Sequence, residues 1–162
     1  MVTGNLSIFF AVRKGENAIF CNFRGKRRST TVRDGTFEGN GHSISDFNVP
    51  KSGGVVIPAC SIFSSLGQKA KIQNVSFLDV TYVMTGISEA ATKVKYAALA
   101  VSSDNATLEN VTIEGEIHTN VADKIEDLND LFYEESGSEK LTGVTVNVTV
   151  APLEESPAVT VD

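Results

Sequence analysis

Tryptophan is absent from this 162-residue chain, and cysteine, methionine and histidine occur only twice each. Without Trp there is no Trp-based platform on which a sugar ring could stack. Cys21 and Cys60 make no disulfide framework, leaving either buried free thiols or a single bridge. His42 and His118 are too few for a multi-His metal site. With four prolines and 13 glycines the composition is not collagen-like. No apolar run approaches the ~20 residues of a membrane-spanning helix. A basic surplus is also lacking: 14 Lys/Arg face 20 Asp/Glu, a net charge of −6, which argues against nucleic acid as the main partner.

The charge is unevenly spread. Residues 1–40 hold seven Lys/Arg against Glu16, Asp34 and Glu38, whereas the remainder holds seven Lys against 17 acidic groups. Such asymmetry either orients a partner or marks a slice of a longer chain. The opening Met1–Phe10 stretch lacks a basic n-region and soon meets Arg13-Lys14, so it does not read as a signal peptide. The chain is then either cytoplasmic or the mature or excised part of an exported protein.

What is present is strand chemistry. Hydrophobic residues make up 41%, mostly Val, Ile and Phe among abundant Thr and Ser, enough for one folded core. Four segments share the pattern apolar-x-(Asn/Asp/Gly)-apolar-x-apolar, beginning at Ile44, Ile72, Leu108 and Leu141, with spacings of 28, 36 and 33. Their third positions are Asp46, Asn74, Asn110 and Gly143, residue types that enter the left-handed region most easily. A plain strand alternates faces, so positions 1, 4 and 6 all point inward only if the chain bends at position 3. Upstream, Ile62-Phe63-Ser64-Ser65 and Ala70-Lys71-Ile72 match Ala100-Val101-Ser102-Ser103 and Ala106-Thr107-Leu108. A strand, a turn and a bent strand recurring at ~30 residues describe a β-solenoid coil.

The run Thr36-Phe37-Glu38-Gly39-Asn40-Gly41-His42-Ser43-Ile44-Ser45-Asp46-Phe47 resembles a segment of right-handed parallel β-helices on bacterial surfaces, including GLUG-motif repeat proteins. Lys71–Val75 and Thr107–Val111 look like the corners of that family, whose Gly-flanked apolar stretch is Ala97-Ala98-Leu99-Ala100 here. The resemblance covers residues 34–115, about half the chain. It implies an all-β, right-handed parallel β-helix, which at ~30 residues per coil makes about five coils; an antiparallel β-sandwich is the alternative. Residues 1–150 are expected to be one solenoid domain, and 151–162, with Pro152 and Pro157, an extension or linker. A stack so short has two open ends, and its length suggests a fragment.

Residues 119–135 interrupt the repeat. Val121, Ile125, Leu128 and Leu131/Phe132 recur at helical spacing behind a candidate N-cap, Asn120, with Asp123, Glu126, Asp127 and Asp130 opposite. An amphipathic helix over about 120–132, inserted between coils, is expected, and would lengthen the later spacings.

No catalytic constellation emerges. Gly39-Asn40-Gly41-His42-Ser43-Ile44 lacks the third Gly of a dinucleotide fingerprint. The run from Asp34 has Ser45 where a calcium loop needs Glu. Gly25-Lys26-Arg27-Arg28-Ser29 lacks the upstream Gly of a P-loop and reads as a solvated basic loop. A Cys–His nucleophile from Cys21 or Cys60 with His42 is weighed against an inert buried thiol, the commoner state. His118, after an alternating strand, should face solvent. Sequons begin at Asn5, Asn74, Asn105, Asn110 and Asn147, a pattern that Thr/Ser-rich strands generate by accident.

The wider fold relatives include pectate lyases, and the resemblance implies for them calcium-assisted β-elimination by clustered carboxylates and a basic residue. Asp46, Asn74 and Asn110 would instead stack as a polar ladder, with Asp79, Glu114 and Glu116 scattered by comparison. Accordingly no catalytic, cofactor-binding or metal-binding residue is assigned. Asp46, Asn74, Asn110 and Gly143 are structural corners only. The expected role is a non-catalytic structural or adhesive segment of a larger secreted or cell-surface bacterial protein, displaying loops to a glycan or a host or cell-surface protein. It needs no cofactor, binds no nucleic acid and inserts into no membrane. A carbohydrate-active β-helix enzyme is the runner-up.

Overall fold

The computed structural model describes residues 31–53, 58–88, 90–91 and 94–151. Cys21, the basic loop 25–29, the Asn5 sequon and the Pro152/Pro157 extension lie outside the described residues. The chain folds as a parallel β-solenoid of about three turns. Its long strands are β1 (Thr31–Pro50), β4 (Phe63–Met84), β7 (Thr107–Thr119) and β10 (Thr145–Val150). Shorter ones are β2 (Ser52–Gly53), β3 (Pro58–Cys60), β5 (Lys95–Tyr96), β6 (Ala100–Ser103), β8 (Phe132–Glu135) and β9 (Lys140–Thr142). β1 pairs with β4, β4 with β7, and β7 with β10, all parallel. Beside them β4, β6 and β8 stack in the same sense. Among the described residues the antiparallel pair is the small β2–β3 contact, so the sandwich alternative is set aside.

Parity explains how one strand turns corners. From Ile72 to the end of β4 the buried residues are Ile72, Val75, Phe77, Val80, Tyr82 and Met84. Two of these steps are three residues long rather than two. Each contains a left-handed residue, Asn74 (φ 52°) or Asp79 (φ 52°), that bends the strand and resets which side faces inward. β7 has one such step, at Asn110 (φ 52°), and then strict alternation through Ile113, Gly115, Ile117 and Thr119. One residue is therefore dropped between the Phe77–Ile113 and Val80–Gly115 pairs. The sheets stay together there because a Cβ on Gly115 would fall 2.2 Å from the Val80 carbonyl oxygen.

The core is a stack of in-register rows. Phe37, Ile72 and Leu108 form one row, which the exposed Leu141 continues; Ile44, Phe77, Ile113 and Val146 form another. Phe77 lies 6.2–6.4 Å from the ring centres of Phe37, Phe47 and Phe63, at edge-on or tilted angles that suit aromatic quadrupoles. Ala97-Ala98-Leu99-Ala100, fully buried, runs between two neighbouring coils. Phe63 N–H donates to Leu99 O on one side, and Ala98 N–H to Asp130 O on the other. Tyr82 takes its hydroxyl to the Ala98 carbonyl at 2.6 Å and meets Tyr96 edge-on at 5.3 Å.

The solenoid has about three turns rather than five, because its structural period is 35, 36 and 33 residues (Phe37, Ile72, Leu108, Leu141) and the described part begins at residue 31. The 28-residue first spacing was a misalignment: Phe37, not Ile44, is the partner of Ile72. Likewise Phe63 pairs with Ala100, one residue away from the sequence match.

The inserted helix over 120–132 is replaced by a short 3-10 turn at Ala122–Lys124 followed by irregular chain. The expected cap, Asn120, spends its amide on the backbone of Ile87, accepting from its N–H (3.1 Å) and donating to its carbonyl (2.7 Å). The carbonyls of Leu128, Asp130 and Leu131 are taken by Tyr96 and by the amides of Ala98, Leu99 and Ala100. Coil-to-coil bonding thus claims groups that an α-helix would need internally, and tertiary pairing overrides the 3.6-residue pattern.

Candidate functional site

The four corner residues occupy two different rows. Asn74, Asn110 and Gly143 stand at one corner of successive coils, all left-handed. Asn110 Nδ2 donates to Asn74 Oδ1 at 3.0 Å, and Asn74 Nδ2 donates to Glu38 Oε1 at 3.0 Å. Glu38 also accepts from Asn40 N–H at 2.8 Å and from Gln73 Nε2. The amide ladder therefore runs in one direction and ends on a carboxylate. Bonds from Gln73 and the Asn40 backbone hold the Glu38 pKa below its ordinary value, against a smaller desolvation effect and with help from Asn74. At the other end Gly143 (φ 62°) leaves room for the ladder: a Cβ there would sit 2.7 Å from Asn110 Oδ1, which would have to shift.

Asp46 (φ 58°) is not part of this ladder. It stands opposite Asp79 at the second corner, between the Ser45–Leu78 and Phe47–Val80 pairs. Glu114 and Asn147 continue its row on the next two coils, and Asn48, Thr81, Glu116 and Thr149 form the adjacent row. These side chains, with Gly115, line an open groove of about 610 Å³ across the outer face of β1, β4, β7 and β10. Asp79, Glu114 and Glu116, scattered in the sequence, are brought together. Their signal was the solenoid period itself: 33 residues separate Asp46 from Asp79, and 33 separate Glu114 from Asn147.

The groove is acidic and built of hydrogen-bonding groups. Asp46 accepts from Ser45 Oγ at 3.2 Å, and Glu116 meets His118 Nε2 at 2.6 Å. Among the described residues no Lys or Arg lines it, and none forms an ion pair with its carboxylates. His118, part-exposed, sits beside the groove, while His42 is exposed on β1. Cys60 is a buried free thiol whose Sγ donates to Val49 O at 3.3 Å; burial pushes its pKa up to about 12. A thiol held protonated in this way is no nucleophile near neutral pH.

No protein-family model matches this sequence, and comparison with curated proteins and with solved structures finds no match. The reading of the site therefore rests on its geometry.

A second polar cluster lies at the turns preceding β7 and β9. Asn105, left-handed at φ 60°, donates its N–H to Ser136 Oγ (3.0 Å), whose hydroxyl bonds Glu139 Oε1 at 2.9 Å. Desolvation pushes the Glu139 pKa upward. Bonds from its own amide and from the Ser136 hydroxyl and amide outweigh it, holding the carboxyl at about 2. This cluster ties turn to turn.

Proposed function

We propose that this chain is a non-catalytic display segment of a secreted or cell-surface protein, its solenoid holding the Asp46–Thr149 face as a binding surface for a glycan. One observation carries the reading. Carboxylate, amide and hydroxyl groups from four strands stand in register on one open face, at the ~4.8 Å spacing of neighbouring strands. Such a face offers repeated acceptors to an extended, hydroxyl-rich chain and needs no rearrangement to do so. Its negative charge selects neutral or amino-bearing sugars and rejects acidic polysaccharides. The likeness of residues 36–47 to GLUG-type surface solenoids supports the same location and role.

The test is binding to an array of neutral, amino-bearing and acidic oligosaccharides. Combined Asp79→Asn, Glu114→Gln and Glu116→Gln should weaken binding to neutral or amino-bearing members by about tenfold or more, ~1.4 kcal/mol, with an unchanged circular dichroism spectrum. Binding that survives the triple variant would move the site elsewhere. A second reading, glycoside hydrolysis, is favoured by the presence of several carboxylates in one groove, since that chemistry uses a carboxyl pair. Reducing-end release from any bound oligosaccharide would select it.

A further inference from the structure

The β10 edge of the described stack is unlike the rest of the described surface. Among the described residues β10 pairs only with β7, so its other edge carries no strand. Among the described residues the exposed large hydrophobics, Leu141 (49%) and Val150 (39%), both belong to the coil of β9 and β10. The strand itself, Thr145-Val146-Asn147-Val148-Thr149-Val150, has no charge, no proline and three β-branched valines on its inner side. That composition matches segments that add to another strand, and natural edges are normally blunted by a charge, a proline or a cover. One cover is present. The N–H of Ala151 points to β7, bonding Ile117 O at 3.0 Å, so by alternation the amides of Val146, Val148 and Val150 face the open side. The middle one, Val148 N–H, donates to Asn129 Oδ1 at 3.0 Å. Asn129 comes from the irregular 125–131 segment, and its own N–H is held by Asp127 Oδ1 at 2.8 Å.

We propose that Asn129 guards a self-pairing edge: it occupies the central donor of β10 and thereby prevents a second copy of this chain from adding there. A second copy is the occupant that the strand fits. Antiparallel pairing about Val148 sets Val146 of one copy against Val150 of the other on the inner side, and Asn147 against Thr149 on the outer side. Such pairing is isologous and closes at two. An uncharged strand meets its own copy without like-charge opposition, and the acidic groups elsewhere are screened beyond ~8 Å at physiological salt.

Sedimentation across a wide concentration series tests this. The unaltered chain is expected to stay at 17.3 kDa and Asn129→Ala to shift to twice that mass. Asn129→Asp, which keeps the acceptor, should remain at the single mass. Adding Asn147→Lys and Thr149→Lys to Asn129→Ala should restore it, because like charges then face across the pair while each ammonium sits beside Glu114 or Glu116 of its own chain. A folded Asn129→Ala that keeps the single mass overturns the proposal, as does an unaltered chain that already pairs. Should Asn129→Ala fail to fold, amide exchange in the unaltered chain decides. Val148 must exchange much more slowly than Val146 and Val150, and equal rates would sink the guard.

Discussion

Asn74 shows how much one side chain is asked to do. It holds a left-handed backbone, donates to Glu38 and accepts from Asn110. Asn74→Ala loses both bonds and adds the left-handed penalty of a Cβ residue without a compensating polar group, together about 2–4 kcal/mol. Asn110→Gly keeps the conformation and loses one exposed bond, so urea unfolding should show a distinctly smaller loss. The acidic residues add a pH dependence with a definite sign. Glu139, held at about 2 against an ordinary 4.5, contributes stability that is fully present above about 4.5. That contribution fades as pH falls toward 2, because the unfolded chain takes up the proton first. Glu38, also depressed, acts in the same direction. Glu139→Gln should flatten the stability–pH curve between about 4.5 and 2, and an unaltered slope there would show that the Ser136–Glu139 contact contributes little.

At the scale of elements, the corners decide which side of each strand is core. β4 and β7 run together over most of their length, yet one uses two left-handed bends and the other uses one. Gly115 absorbs the difference. Gly115→Ala places a methyl into the Val80 carbonyl, a backbone atom that is bonded into the sheet, so the coils must separate. A loss of about 1–3 kcal/mol is expected, lowering Tm by roughly 2–12 °C for a domain of this size. A Tm within a degree of the unaltered value would mean that the sheets part there at little cost. The same scale explains the missing helix. Residues 121–132 have helical spacing, with Val121 and Phe132 buried as the pattern requires. The carbonyls of Leu128, Asp130 and Leu131, however, are partners of the adjoining coil. Periodicity reports which side chains are buried; it does not report where the backbone finds its hydrogen bonds.

For the whole molecule, the stack is a set of coils that each bury the next, and its middle should open last. Cys60 is a convenient reporter because it lies buried on the second coil and its thiol is held protonated. In a Cys21→Ser background, labelling of Cys60 by a thiol reagent should follow global unfolding, with its rate rising in denaturant in step with loss of β signal. Rapid labelling in native buffer would mean that the first coil lifts off on its own.

Much of this protein was legible before its structure. Val, Ile and Thr richness, the apolar-x-Asn-apolar corner and its recurrence determined a parallel solenoid, because left-handed residues and inward-facing triplets are local properties of the chain. Asn74, Asn110 and Gly143 were recognisable from that logic alone. Glu38 was not, since its role as the end of the ladder depends on which strand lies next to it. Nor was the grouping of Asp46 with Asp79, Glu114 and Glu116, because sequence similarity paired Ile44 with Ile72 and so displaced the first coil. Register, the count of turns, the fate of residues 120–132 and the cover on β10 were decided only by tertiary structure. The first three depend on backbone groups bonding to a coil about 35 residues away, and the cover on β10 on a side chain 19 residues before its partner; the chain carries no local mark of either.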